Sequence, residues 1–498
     1  MRFNVPSPPQ ENMLSIDNFA GVNYATTPSQ IADNEAADIL NFLIDDRGKL
    51  KKRTGYQKVF NSLGTGNING MYLYRKQDGT VYFLFAYNNK LYKLNNDNTY
   101  TLIYTGLNNH KVTFFTYNNL CYILDSVNYK VYDGTTVTDV VGYVPTLYIA
   151  SAPTGGGTQF EQFNLLSNKF KQSFTANGTA TQYVLALSGL DATLVTVWKN
   201  GVQYNENDAS PIFTVDRVNG KITFTTAPAT GLPDNVIIQA GKTTTGLSDR
   251  IKKCTIQVLY GGANDTHVIL SGNSSTPSVI YRSGVLDPTY FPENYYQAVG
   301  DTQEAVTGFA VQYDSCIVFK TNSIWHLDFT LNSDGEATYP TRPVNYSIGC
   351  ISPNTIQLIE NSPFFLDKRG IYSLNQSNIK DEKNVELVSE KVNKSDFTGQ
   401  HGLLQEANLQ NVISIDYDNK YILCVNARCY IFDYRYMVWY IWDNVNAQCF
   451  LEYNSILYFG DNNGTIHKFK APTDLDSYDD NGTSIHAFWK SKIFDFGA

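Results

Sequence analysis

Tyr117-Asn118-Asn119-Leu120-Cys121-Tyr122-Ile123-Leu124, followed by Tyr129 to Tyr132, decides how the chain is read. An apolar strand ends in a turn of the type Tyr-Asn/Asp-Asn/Ser, and a second strand rich in Tyr, Phe, Ile and Leu follows. Another polar turn leads to a third strand that carries an aromatic. The unit returns at Tyr313-Asp314-Ser315, Tyr417-Asp418-Asn419 and Tyr453-Asn454-Ser455, with third strands at Ile324 to Phe329, Cys429 to Phe432 and Ile466 to Phe469. Looser copies run from Ile256 to Leu259 through Gly261-Gly262 to Tyr281, and from Ile356 to Ile359 through Asn361-Ser362 to Leu374. A seventh copy opens the series at Met71 to Tyr74, Val81 to Ala86 and Leu91 to Leu94.

A three-strand meander of this length cannot bury both of its faces alone, so copies must stack on one another. Antiparallel units of roughly 40 to 50 residues with recurring aromatics point to an all-β β-propeller, which leaves only short edges. Seven blades are expected, with six as the alternative. A sandwich of generic hairpins is the competing architecture, because alternation of apolar and polar residues does not by itself separate the two.

At 498 residues the chain has room for two or three domains, and its 35 Tyr and 28 Phe suit strands in which aromatics pair across the sheet. The net charge of −9 disfavours a protein that grips phosphates without regard to sequence. It suits a wall past which DNA slides without sticking. Seven Cys lack metal-ligand spacing, and their odd number fits thiols kept reduced. Cys424 and Cys429 flank a two-residue turn at Asn426-Ala427 and are expected to face each other as a packed thiol pair rather than a disulfide. No apolar run reaches the roughly 18 residues of a membrane span, and no segment reads as a signal peptide.

Residues 1–13, with Pro6, Pro8 and Pro9, read as an extended arm. Next come Ile16-Asp17-Asn18-Phe19-Ala20-Gly21-Val22-Asn23, then Ile31-Ala32-Asp33-Asn34-Glu35-Ala36-Ala37-Asp38-Ile39-Leu40-Asn41, then Gly48-Lys49-Leu50-Lys51-Lys52-Arg53-Thr54-Gly55. Ile31, Glu35, Asp38 and Ile39 stand at helical spacing, so a short helix is expected there, with a turn and a basic strand after it. The order Phe-x-Gly-x-Asn, Asn-Glu-x-x-Asp-x-x-Asn, Gly-x-Leu-x-x-Arg-x-Gly resembles the opening of a family of tailed-phage virion proteins. That family comprises the tail nozzle, or tail tubular protein B, and the packaged-DNA stabilisation proteins. Further stretches are similar to the same family: Ala305-Val306-Thr307-Gly308, Ile348 to Pro353, Lys368-Arg369-Gly370-Ile371-Tyr372, Phe432-Asp433-Tyr434 with Trp439, and Tyr458-Phe459-Gly460 with Gly464.

The resemblance covers residues 14–60 and about 250–498. It implies a homo-oligomeric ring of six copies in the virion tail, made in the host cytoplasm, that retains packaged double-stranded DNA and conducts it during ejection. Its implied partners are other copies of itself, a tail adaptor or portal-side protein, and tail fibres. Phe19, Asn23, Asn34, Glu35, Asp38 and Arg53 are the candidate contacts to the adaptor or a neighbour, because this stretch is the part least explicable as a blade.

Four segments are expected: a cap over 1–60, blades over 61–150, a linker with an inserted β-sandwich over 151–249, and blades with a closing strand over 250–498. Within the third, Pro153 and Gly155-Gly156-Gly157 read as linker over 151–165. Strands at Gln182 to Leu187, Val195 to Trp198, Phe213 to Asp216, Ile222 to Thr225 and Val236 to Gln239 are separated by turns that include Asn200-Gly201 and Asn219-Gly220. Ile485 to Phe496 is expected to close the ring after a solvated acidic loop at Asp474 to Gly482.

No Walker loop, Gly-x-Ser-x-Gly elbow or His-Glu-x-x-His occurs. Asp474, Asp476, Asp479 and Asp480 lack the Gly and the closing Glu of a calcium loop. The expectation is a structural protein with no catalytic residues, no metal and no cofactor. Two other functions stay open: a receptor- or glycan-binding tail protein using the inserted sandwich, and a propeller glycosidase using a carboxylate pair. Tyr434, Tyr436, Trp439, Tyr440 and Trp442 are expected to pack the blades rather than stack on sugars.

Overall fold

A computed structural model describes residues 15–261, 265–333, 335–375, 384–396, 399 and 401–494. The expected arm over 1–13, Gly262 of one turn and the last residues of the expected closing strand lie outside these. The chain forms two compact units. One is built from the described residues of 1–64, 368–373 and 386–498, the other from those of 65–367 and 374–385.

Each of the seven repeats is a four-stranded antiparallel sheet. The first holds Ile68–Arg75, Val81–Tyr87, Lys90–Leu94 and Tyr100–Thr105. The second holds Thr113–Tyr117, Leu120–Leu124, Tyr129–Tyr132 and Val137–Asp139. Ile256–Tyr260, His267–Ser271, Val279–Arg282 and Tyr296–Ala298 make the third, and Val306–Gln312, Ser315–Lys320, Ile324–Leu327 and Thr341–Asn345 the fourth. Gln357–Ile359, Ser362–Asp367, Gly370–Leu374 and Val385–Leu387 form the fifth. The sixth is Ile413–Tyr417, Lys420–Val425, Arg428–Asp433 and Val438–Trp442. The polar pairs Asn118 and Asn119, Asp418 and Asn419, and Asn454 and Ser455, between first and second strands, make two-residue turns with both residues at positive φ. That geometry is what Asn, Asp and Gly tolerate and what the twist of a hairpin demands.

Stacking explains why the second strands are solid apolar runs. In Leu120–Leu124, Cys121 and Ile123 pack with Tyr74, Leu84 and Ala86 of the first sheet, while Tyr122 and Leu124 pack with Val268, Leu270 and Tyr281 of the third. The strand is buried on both faces, so period-2 alternation disappears from its sequence. Within the larger unit the first strands succeed one another: Ile68–Arg75 lies beside Thr113–Tyr117, that beside Ile256–Tyr260, then Val306–Gln312, then Gln357–Ile359. In the other unit Ile413–Tyr417 lies beside Cys449–Tyr453. A two-layer sandwich would not place like strand beside like strand in chain order; the protein is an all-β β-propeller.

The last blade corrects the expected closure. Cys449–Tyr453, Ile456–Gly460 and Ile466–Phe469 receive their outer strand from Tyr56–Lys58, with Tyr56 opposite Phe469 and Lys58 opposite His467. Tyr56 fits because its ring packs on Phe459 and His467, with centroids 4.9 and 5.1 Å away. Phe488–Lys490 from the expected closing strand instead pairs with Asp38–Leu40, held in register by Lys490 on Asp38 at 2.7 Å. The helix expected over 31–39 is absent. The Ala36 N–H donates to the Gly21 carbonyl and the Ala37 N–H to that of Lys490, so past the single turn closed by Glu35 on Ala32 the backbone pairs with other segments. A second correction concerns Cys424 and Cys429, which stand opposite each other as expected but are joined as a disulfide.

The insertion is a β-sandwich, and it begins before the expected linker. Thr146–Ser151 and Thr158–Gln159 belong to a six-stranded sheet with Lys169–Phe174, Val236–Gly241, Thr196–Lys199 and Val202–Asn205. Gly155, Gly156 and Gly157, all at positive φ, make the bend after the first of these strands. A three-stranded sheet of Gln182–Val184, Lys221–Phe224 and Phe213–Asp216 covers it, with Phe170, Phe174, Tyr183, Phe213 and Phe224 in the core between them.

One prediction arises from the third and fourth blades. His267 is 3 % exposed, its Nδ1 lies 2.8 Å from the Tyr339 hydroxyl, and the Arg282 guanidinium sits over the Tyr339 ring at 4.3 Å. Burial, and then the Arg282 charge, push its pKa down to about 4. The unfolded chain therefore binds a proton at His267 between the ordinary histidine value and about 4 that the folded chain does not. Stability that is full above the ordinary value is lost as pH falls through this window. The melting temperature followed from pH 7 to pH 4 should drop less steeply in His267→Gln than in the parent, and an unchanged slope would assign the acid sensitivity elsewhere.

Candidate functional site

The six candidate contact residues all fall in the smaller unit, in an N-terminal stretch wrapped over the last two blades. Gly21 lies against the backbone of Trp439, where Val22 donates to the Trp439 carbonyl at 2.9 Å. Phe19 sets its ring edge-on to Trp489 at 5.1 Å. Asn23 donates to Glu35 at 2.8 Å, and Glu35 also accepts from the Ala32 N–H and from Lys391 at 2.8 Å. Burial works to raise the Glu35 pKa, and these three donors outweigh it and hold the carboxylate below its usual range. Asp38 accepts from the Tyr24 hydroxyl at 3.1 Å and from Lys490. Burial first, and then Asp38, push the Tyr24 hydroxyl well up, so it stays a donor.

Arg53 is the centre of a second network. It is 1 % exposed and forks onto Asp480, with Nη2 to Oδ2 at 2.6 Å and Nη1 to Oδ1 at 2.9 Å. Its Nε donates to Asn41 Oδ1 at 2.8 Å, and its remaining protons reach the Thr54 and Asp443 carbonyls. Asn41, fully buried and at φ 55°, donates in turn to Asp443 and to the His486 carbonyl. Every donor of the guanidinium is used, which is what burial of a charge requires. Asp480 thus leaves the solvated loop in which the sequence placed it, and Asp479 pairs with Lys470 at 2.6 Å.

The structure brings Asn23 together with Glu35, but sets Arg53 apart on its own network. Glu35, Asp38 and Arg53 are buried in pairs within the chain, whereas Phe19, Asn23 and Asn34 are partly exposed. A cavity of about 830 Å³ opens beside Asn23, lined also by Tyr24, Pro28, Asn393, Lys394 and Gln405. The partners Lys391, Asp443, Asp480 and Lys490 were not legible from the N-terminal stretch, because they stand hundreds of positions later with no local motif. Of the aromatic group, Trp439, Tyr440 and Trp442 are buried in the blade, while Tyr436 is exposed. Among the described residues no three His, Cys, Asp or Glu stand together as metal ligands, and no helix is long and apolar enough to cross a membrane.

The fold and this clasp define a β-propeller protein with an inserted sandwich. No family model and no curated protein matches the chain. Among solved structures it is similar to the computationally designed Ika8 protein, at 9 % identity over 83 % of this chain and 99 % of that one, with a TM-score of 0.36. Virginiamycin B lyase from Staphylococcus aureus gives 8 % identity over 82 % and 97 %, with a TM-score of 0.36. BamB from Moraxella catarrhalis gives 8 % over 88 % and 98 %, with a TM-score of 0.32. Likeness at this level says nothing about activity, and the propeller rests on the order of its own sheets.

Proposed function

We propose that the chain is a structural subunit of a bacteriophage tail nozzle, assembled as a ring of six copies that holds packaged DNA and conducts it on ejection. The observation that supports this most is the clasp. Phe19, Gly21, Asn23, Asn34, Glu35, Asp38, Asn41, Gly48, Leu50, Arg53 and Gly55 are the N-terminal positions on which the family resemblance rests. Phe19, Gly21, Asn23, Glu35, Asp38, Asn41, Arg53 and Gly55 each meet a specific partner there, and Gly48 takes the turn at φ 74°. A motif most of whose scattered letters meet partners inside the folded chain is better support than the letters alone. The net charge of −9 suits a conduit that repels phosphate.

Native mass spectrometry of the full chain, with and without a portal or adaptor protein, tests the reading. Rings of about six copies are expected, and a monomer that ignores the adaptor would overturn it. Removing residues 1–55 would be a poor test of attachment, since it takes Arg53 from Asp480. Asn34→Trp, at a partly exposed position beside the turn, should instead weaken adaptor binding and leave the ring intact.

A further inference from the structure

A second cavity, of about 700 Å³, lies wholly within the smaller unit. Its walls come from the basic strand Leu50–Lys52 and the residues after it, the turn at Tyr417 and Asp418, the turn at Ser455, and the segment from Lys468 to Leu475. On a chain of net charge −9, six cations line this one cavity against two carboxylates: Lys51, Lys52, Arg53, Lys420, Lys468 and Lys470 against Asp418 and Asp474. Three of the six are spent inside the protein. Arg53 is held by Asp480, Lys420 by Asp418 at 2.8 Å, and Lys470 by Asp479. Among the described residues no carboxylate pairs with Lys51, Lys52 or Lys468, so three lysines of the cavity wall have no counter-charge of their own.

Charge alone would fit any anion; the rest of the wall narrows the choice. Tyr417 and Phe469 offer half-buried rings, and Ile456 and Leu475 add apolar rim, Leu475 being 90 % exposed. Thr54, Gln57 and Ser455 bring hydroxyl and amide groups, and Asp474 brings a carboxylate that can accept hydroxyl protons. A ligand with an anionic group, several hydroxyls and a flat C–H face uses all three kinds of wall. The volume falls within the roughly 300–1,000 Å³ of small-molecule sites, enough for one or two sugar rings and too small for a nucleic-acid duplex. We propose that this cavity binds an anionic sugar, its carboxylate or phosphate on Lys51, Lys52 and Lys468 and its ring against Tyr417 and Phe469. The proposal does not depend on the nozzle reading, since a binding cleft on this unit would serve a monomer or a ring.

Titration calorimetry of the full chain with digalacturonate and with glucose 6-phosphate, beside neutral lactose and glucose, tests it. At least one charged probe should bind roughly tenfold or more tightly than its neutral counterpart, a gap expected of charge-assisted hydrogen bonds. Digalacturonate alone would name a uronate glycan as the source, and glucose 6-phosphate alone a sugar phosphate. The triple variant K51A/K52A/K468A should lose that binding about tenfold or more while its melting temperature stays close to the parent's. Should the triple variant unfold, Lys51→Ala alone, at an exposed position, reads the same contact. Equal binding of charged and neutral sugars, no binding of either charged probe, or full binding by the variants would overturn the proposal.

Discussion

Arg53→Met is expected to cost the smaller unit about 3–5 kcal/mol, the loss typical when one partner of a buried ion pair is removed and the other stays. Asp480, in a site 4 % exposed, would keep the Asn444 amide, 3.0 Å from Oδ2, as its one side-chain donor among the described residues. Asn41 Oδ1 would lose one of its two donors, keeping the Asp443 N–H at 3.1 Å, and the carbonyls of Thr54 and Asp443 would lose the guanidinium protons they accept. Urea unfolding followed by tryptophan fluorescence is the measurement, because Trp439, Trp442 and Trp489 all lie in this unit. The double variant Arg53→Met with Asp480→Leu should recover a large part of the loss, since the cost comes chiefly from a stranded charge and not from the absence of a favourable pair. A loss below about 1 kcal/mol in the single variant would mean that the N-terminal stretch is not held by this network.

That network also shows what the sequence could disclose and what it could not. Five of the first-to-second strand hairpins were legible because each announces itself locally, with an apolar run on either side of an Asn, Asp or Ser pair; the first and third turn instead at Gly79 and Gly261. The fourth strands were not. Val137–Asp139, Tyr296–Ala298 and Val385–Leu387 are three residues long and partly exposed, so neither length nor apolar content marks them. The expected helix over 31–39 failed for a different reason. Ile31, Ala36 and Ile39 are buried by a turn, an isolated bridge to Val22 and a short strand, and this irregular path happens to imitate a helical period. The disulfide was half legible: the turn at Asn426-Ala427 fixed which residues face each other, but not the oxidation state of their sulfurs.

The candidate site divides along the same line. Lys51 and Lys52 read as a basic strand, and nothing near them in sequence says that Tyr417, Ser455 and Lys468 complete a cavity around them. Likewise the candidate contacts were picked out for not resembling a blade, and that criterion selects residues with an unusual task without telling an outward task from an inward one. Glu35, Asp38 and Arg53 turn inward. Their partners arrive from the far end of the chain, so only the folded arrangement assigns them.

Gly55→Ala and Gly21→Ala should be nearly as damaging as the loss of Arg53, about 3 kcal/mol each, at the upper end of what forced overpacking costs. Neither glycine has a positive φ, so the reason is not backbone freedom. A Cβ on Gly55 would collide with the carbonyl of Asp479, and one on Gly21 with the carbonyl of Trp439. These are backbone atoms that cannot rotate away. Gly55 donates to the Ser477 carbonyl at 2.7 Å and accepts from the Lys470 N–H at 2.8 Å, so moving it aside also breaks the ladder around it. Gly201→Ala is the control: it sits at φ 79° with nothing within 4 Å, and should cost only the roughly 1–2 kcal/mol of a left-handed alanine. If Gly21→Ala and Gly55→Ala cost no more than Gly201→Ala, the stretch does not lie against Trp439 and Asp479. If they cost more, Phe-x-Gly and Arg-x-Gly have a physical cause: the chain must pass within backbone contact of the sixth blade at Trp439 and of the later hairpin at Asp479, and only glycine leaves room for it.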